Sequence, residues 1–223
     1  MSRFADTFLN WAVMAQYAPK IVEGAWVTIR LALAVAIAGI ACGLFLSVLR
    51  AFRFRAVNFF IVFAVDVLRA LPPLVIIIAF YFALPAVGVR MSAWVSTWLA
   101  LSLVLMAFSE EIFWAGILAV PRGQWEAARS TGLSFLQTLR DVVLPQAVRL
   151  TIPPLTNRTI AITKNTALGA VVAVGEILYQ AQSAYSFSYN PSPLLLGAAA
   201  YLILFIPVVY FGRWIETRFA WKR

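Results

Sequence analysis

Long apolar runs alternate with short polar clusters along this chain. The runs have the length of membrane spans, since a helix needs about 20 mostly apolar residues to cross a bilayer. Five segments reach that length: 26–49, 59–84, 94–119, 152–178 and 194–214. Between the third and the fourth the pattern changes. Residues 121–145 form a charged stretch in which apolar positions recur at helical spacing. Trp125, Ala128 and Gly132 fall at i, i+3 and i+7, and Phe135, Leu136, Leu139 and Val143 continue the stripe. Glu126, Arg129, Gln137, Arg140 and Asp141 occupy the other faces. Gly132 suits the left-handed conformation that ends a helix, with Leu133 as its apolar cover. Ser134 and Gln137 have the S-x-x-Q spacing of a capping box, which starts a second helix that Pro145 closes.

The pattern predicts a two-helix bracket. Its apolar stripe rests on the span ends, and its small-residue, charged tip lies around Glu126, Ala127 and Ala128. Small residues admit close approach by a partner surface, and a neighbouring Glu and Arg offer charge-assisted contacts. An ordinary loop helix carries the same pattern, and spacing alone does not separate the two. Ahead of the first span, residues 1–20 read as a segment of their own. Phe4, Phe8, Trp11 and Met14 recur at the spacing of an amphipathic helix lying on the outer surface, although a frayed tail fits the same residues. No basic region followed by an apolar core stands at the start, so no cleavable signal is expected.

Composition agrees with the pattern. The chain is 63% hydrophobic and 12% charged, with a mean hydropathy of +0.88, against about 25% charged in an average soluble domain. At 223 residues it makes one membrane domain. The formal charge of +9 does not indicate nucleic acid, because the bases cluster at span ends. Arg50, Arg53 and Arg55 follow the first span. Arg122, Arg129, Arg140 and Arg149 follow the third, and Arg213, Arg218, Lys222 and Arg223 end the chain. The opposite side holds Arg3, Lys20 and Arg90, and the loop 181–193 holds no base. Positive-inside then places the N-terminus outside and the C-terminus in the cytoplasm, as an odd number of spans requires. The chain has one cysteine, Cys42, and no histidine. Internal disulfides, His-based triads and the commonest zinc ligand are thereby excluded. No metal site is expected.

The bracket also carries a resemblance. Glu126-Ala127-Ala128, three residues, Gly132, nine residues, Val142, one residue, Leu144-Pro145 resembles the EAA motif, EAA-x3-G-x9-I-x-L-P, of the membrane subunits of type I ABC importers. The stretches "PRGQWEAARSTGL", "LPQAVRLTIPPLTN", "LRALPPLV", "KNTALGAVV" and "EGAWVTIRLAL" are similar to the polar amino acid branch of that family, the permeases for histidine, glutamine, arginine and related substrates. The similarity covers residues 24–215. It departs at Ala70 and Leu71, at Ala167, and in span three. There the branch's A-Y-x-A-E-I-F-R-G-G-I reads Ala107-Phe108-Ser109-Glu110-Glu111-Ile112-Phe113-Trp114-Ala115-Gly116-Ile117, so that Glu110 is an extra acid and Trp114 stands for Arg.

The resemblance implies an all-α integral membrane permease of the bacterial inner membrane, with residues 21–223 as its transmembrane domain. Glu126, Ala127, Ala128, Arg129, Gly132, Leu144 and Pro145 would then couple it to an ABC ATPase dimer. ATP and Mg would be bound by those ATPase subunits, since the chain lacks G-x4-G-K-[ST] and has no catalytic constellation of its own. A second permease subunit, identical or homologous, and an amino-acid-binding protein would complete the assembly, with lipid around it.

Ionisable groups inside spans are costly and face the bundle or a wet path. Asp66 and Arg69 stand at i, i+3, within reach of Glu110 and Glu111, as an intramembrane charge network. Span four is the most polar. Thr159, Thr163 and Thr166 share one face, with Arg158 and Asn165 beside it, and Asn157 and Lys164 form a second strip. Arg158, Thr159, Thr163, Lys164, Asn165 and Thr166 are the candidates for the substrate path, where a broken helix would offer backbone groups to an amino acid. Polar contact between two permease subunits uses the same residues. Two other function classes fit an apolar helical chain. A secondary transporter or channel would be expected to show an internal repeat, and none is visible. A lipid-modifying membrane enzyme would need clustered acids or histidines, for which only Glu110 and Glu111 stand as candidates.

Overall fold

A computed structural model describes residues 7–219, and the regular structure among them is helical. Helix α1 runs Trp11–Ala51. Asn10 opens it by accepting the Val13 N–H on its side-chain oxygen at 3.2 Å, which satisfies a donor that has no partner within the helix. At about 1.5 Å per residue, its 41 residues reach roughly 60 Å, about twice the hydrocarbon thickness of a bilayer. Trp11 and Met14 therefore lie in the same helix as the first span, and Phe8 lies before it. Phe4 and Arg3, like Lys222 and Arg223, lie outside the described residues.

The second expected span, 59–84, is broken in two. Helix α2, Arg55–Ala70, stops, and α3, Pro73–Ile78, restarts and continues through a π turn, Ala79–Ala83, and a 3-10 turn, Leu84–Val87. The Leu71-Pro72-Pro73 sequence causes the break. Leu71 is forced into extended backbone ahead of proline (ψ 133°), and neither proline has an N–H to continue the ladder.

Helix α4, Ala93–Ala119, matches the third expected span. Helix α5 is Arg122–Ser130, and α6 opens at Phe135–Gln137. Pro145 does not close this helix as expected. A π turn, Thr138–Val143, leads straight into α7, Leu144–Lys164. The wider turn shifts the hydrogen-bond register, so Pro145 falls at the start of α7, where a missing N–H costs little.

Beyond Lys164 the α-helix gives way to a 3-10 run, Asn165–Val172, which ends at Ala173 in the left-handed region (φ 62°). The fourth span thus does not stay α-helical to 178. The expected loop at 181–193 is mostly helix, because α8 runs Ile177–Ser188. Helix α9, Ser192–Phe219, completes the chain. Among the described residues, four helical runs are long and apolar enough to cross a membrane, and the bent pair α2 and α3 makes a fifth when it is counted as one span.

The helices contribute to two compact units. One comprises the residues up to Ala36, Pro72–Ser102 and Ile162–Tyr210. Its core joins Ile21, Ile177 and Ala181 to Leu194, Tyr201 and Leu204. Gly24 admits the chain at Glu176, where an added Cβ would stand 2.9 Å from the Glu176 carbonyl carbon. Thr28 beside it accepts the Ile177 N–H at 3.4 Å. Glu176 caps α8, accepting the N–H groups of Leu178 (3.0 Å) and Tyr179 (2.7 Å) and a short hydrogen bond from the Tyr201 hydroxyl.

The other unit comprises Ile37–Leu71, Leu103–Ala161 and the residues from Phe211. Its apolar clusters include Ile61, Val65 and Ala107, and Ala51, Ile117, Val120, Leu139, Val143 and Ala147. The bracket and the charge cluster both belong to this unit.

Candidate functional site

The bracket has the shape its residues require. Gly132 sits at φ 89°, the left-handed region, and turns the chain after α5. Ser134 and Gln137 form the reciprocal capping box, with the Gln137 side chain accepting the Ser134 N–H at 2.8 Å and the Ser134 hydroxyl accepting the Gln137 N–H at 3.3 Å. Trp125 on α5 stacks on Phe135 on α6 (centroids 5.7 Å apart), and Phe52 meets Phe135 edge-on at 5.4 Å. Leu139 and Val143, both fully buried, seat the bracket on Ala51, Ile117 and Val120. Gln146 donates to Gln124 at 3.3 Å and braces α7 against α5.

Ala128 is buried, while Glu126, Ala127, Arg129 and Gly132 face outward. Leu144 is half-buried and Pro145 exposed. Leu136, expected on the packed stripe, is 57% exposed and stands on the outer face instead. An open cleft of about 650 Å³ runs beside the tip, lined by Arg53, Trp114, Arg122, Trp125, Glu126 and Phe135 among others. Arg140 and Asp141 pair at 2.7 Å, which raises the Arg140 guanidinium above its already high range.

The ion pairs among the intramembrane charges fall into a set of three around Arg69 and a separate pair. Arg69 meets Glu111 at 2.7 Å and lies 3.8 Å from Asp66. Glu110 forms its ion pair with Arg50 instead, one of the bases clustered at the end of the first span. Arg50 Nη1 donates to both Glu110 carboxylate oxygens, at 3.0 and 3.2 Å. Its guanidinium lies 4.7 Å from the centroid of Trp114, the residue standing where the related branch has Arg. The two span-three departures therefore meet on one side chain. Sixty positions separate Arg50 from Glu110, so no local signal announced the pair.

On α7 the threonine face turns inward. Thr163 is buried and Thr166 is fully enclosed, donating to the Thr163 carbonyl at 2.9 Å. Thr159 is half-buried, and among the described residues its hydroxyl has no hydrogen-bond partner. The open polar face is Asn157, Arg158 and Lys164, with Asn165 half-buried after it. Arg158 lies flat on Phe108, its guanidinium carbon 3.9 Å from the ring centroid, a cation–π contact. Arg158, expected beside the threonines, is exposed with Asn157 and Lys164 instead, and periodicity carries no information on which face points inward. Among the described residues, no group of three or more His, Cys, Asp or Glu side chains is placed to hold a metal ion.

The chain is similar to transport subunits. The family described as "Binding-protein-dependent transport system inner membrane component" matches residues 28–221. The probable amino-acid ABC transporter permease protein YckA of Bacillus subtilis (strain 168) is 32% identical over 217 residues, covering 96% of each chain. The arginine transport system permease protein ArtQ of the same organism is 30% identical over 212 residues, covering 94% of this chain and 97% of the relative. Among solved structures, an amino acid ABC transporter crystallised with histidines superposes with a TM-score of 0.83 at 29% identity, over 92% of this chain and 96% of that one. The inward-facing methionine transporter MetNI shares the fold, with a TM-score of 0.70 at 22% identity, over 90% of this chain and 96% of that one.

Proposed function

The chain belongs to the family of binding-protein-dependent transport system inner membrane components, and from that premise we propose that it translocates a polar amino acid, driven through its bracket by partner ATPases. It is a permease subunit of an ABC importer and resides in the inner membrane. The bracket is the observation that carries the coupling reading. Glu126, Ala127, Arg129 and Gly132 face outward at the motif's spacing, while the opposite side is packed on the ends of α1 and α4. Such a tip fits a groove on an ATPase subunit, and exposed Leu136 adds an apolar contact beside it.

An amino acid as cargo is supported by what the relatives are named for. The clustering of bases supports a cytoplasmic bracket and C-terminus and an outer N-terminus. In this reading ATP and Mg are held by the ATPase dimer. A binding protein delivers substrate from outside, and a second permease subunit, identical or related, faces this one. Closure of the ATPase dimer draws the two tips together and switches the spans from inward- to outward-facing. Along the path, Arg158 receives the substrate carboxylate, and Lys164 and Asn165 continue the polar strip. Thr159, Thr163 and Thr166 brace it from behind. The 3-10 run that follows is longer than the three or four residues usual for that helix, which marks a site of strain or hinge motion.

Uptake tests the proposal. The complex, reconstituted in vesicles with its ATPase and binding protein, is screened across labelled amino acids. Gly132→Val forces a β-branched residue into left-handed backbone, so binding-protein-dependent uptake falls about tenfold while ATP hydrolysis persists. Normal uptake by that variant would remove the bracket from the mechanism.

A further inference from the structure

Arg50 meets the bracket's foundation at several points. It lies in the last turn of α1, where a long basic side chain ordinarily reaches out to the membrane surface. Here it reaches inward to Glu110, which is fully enclosed. Among the described residues Arg50 is the only donor to that carboxylate. The Arg50 carbonyl accepts the Asn58 side-chain N–H at 3.2 Å, which ties the first turn of α2 to the same point. The indole of Trp114, beneath the guanidinium, packs against the cluster of Ala51, Ile117, Val120, Leu139, Val143 and Ala147 on which the bracket is seated. One residue of this chain thus joins α1, α2, α4 and the bracket's floor.

We propose that Arg50, Glu110 and Trp114 form a strut that fixes the register of α1 against α4, so that a displacement of the bracket moves both spans together. Apolar contact alone would let two helices slide, because one greasy register is nearly as good as the next. A cation on one helix with a single enclosed carboxylate partner on the other has one register only. Glu110 is acceptable at a dry position solely because Arg50 meets it there, since a buried charge without its partner is strongly unfavourable. Trp114 covers the pair from the bracket side and hands the bracket's motion to it. The extra acid and the displaced arginine of span three are then one change, not two. Arg50, Glu110 and Trp114 act as positioning residues for coupling and touch no substrate.

The strut rests on the reading of the bracket as the ATPase contact, and the experiment separates the two. The complete complex, with ATPase and binding protein, is reconstituted in vesicles, and uptake is divided by ATP hydrolysed at equal amounts of assembled permease. Glu110→Gln keeps the side chain's shape but removes its charge. The expected result is unchanged basal hydrolysis with uptake per ATP lowered about tenfold. Arg50→Lys retains the charge and restores at least half of the wild-type ratio. Arg50→Gln with Glu110→Gln is no worse than either alone. A wild-type ratio in Glu110→Gln, or a loss of uptake that only follows the amount of assembled complex, overturns the strut and leaves the importer reading intact. Absence of ATP-driven uptake by the wild-type complex would overturn both.

Discussion

Glu110 and Glu176 are both fully enclosed carboxylates, and they are held in opposite ways. Glu110 has a single partner, a cation far away in sequence on another helix. Among the described residues no cation pairs with Glu176. It accepts two N–H groups from the first turn of the helix it begins and a hydroxyl from Tyr201. The first arrangement fixes two helices against each other. The second starts a helix, α8, out of a polar and aromatic stretch that would otherwise read as a loop, and its partners are mostly local. A buried acid therefore says little until its donors are counted. A lone charged partner indicates register, and several neutral donors indicate a cap.

Three substitutions test that contrast. Glu176→Ala has the largest effect. It strips a cap and leaves the Tyr201 hydroxyl without its acceptor, at a combined cost of about 3 kcal/mol. The apparent melting temperature of the purified permease should fall by several degrees, with α8 losing its hydrogen-exchange protection first. An unchanged melting curve would mean that α8 does not depend on its cap. Arg50→Gln comes next, at about 2 kcal/mol, because the amide can still donate to Glu110 but the charge-assisted hydrogen bond is lost. Tyr201→Phe is the mildest, about 1 kcal/mol, since the Glu176 carboxylate keeps both N–H donors. If Tyr201→Phe proved costlier than Arg50→Gln in the same melting assay, the distinction between one partner and several would be lost.

The bracket was the most legible part of the sequence, because its signals are local. A glycine where a left-handed residue is needed and a Ser and a Gln three apart lie within a few residues of each other and took the expected conformation, while the helical stripe kept its packed side except at Leu136. Helix α4 was legible for its length and hydropathy. The break at Leu71-Pro72-Pro73 was written in plain proline chemistry, but continuous hydrophobicity masked it. Pro145 misled in the opposite direction. Proline normally ends a helix, and only the π turn before it let the chain continue. Helix α8 was missed because its polar residues Gln180, Gln182 and Ser183 suggested solvent. Ala181 and Ala184 nevertheless give it a buried face, with Ala181 against Gly197. The Arg50–Glu110 pair lay beyond any local pattern, and the inward threonine face of α7 depended on packing that a periodicity cannot orient.

The π turn at Thr138–Val143 also sets a compass bearing. Each residue of an α-helix advances the side chains by about 100°, so one residue more or fewer in that turn swings everything ahead of it by that angle about the α7 axis. Deleting a single residue there would leave both helices formed, yet Glu126 and Ala127 would be aimed at the wrong quarter.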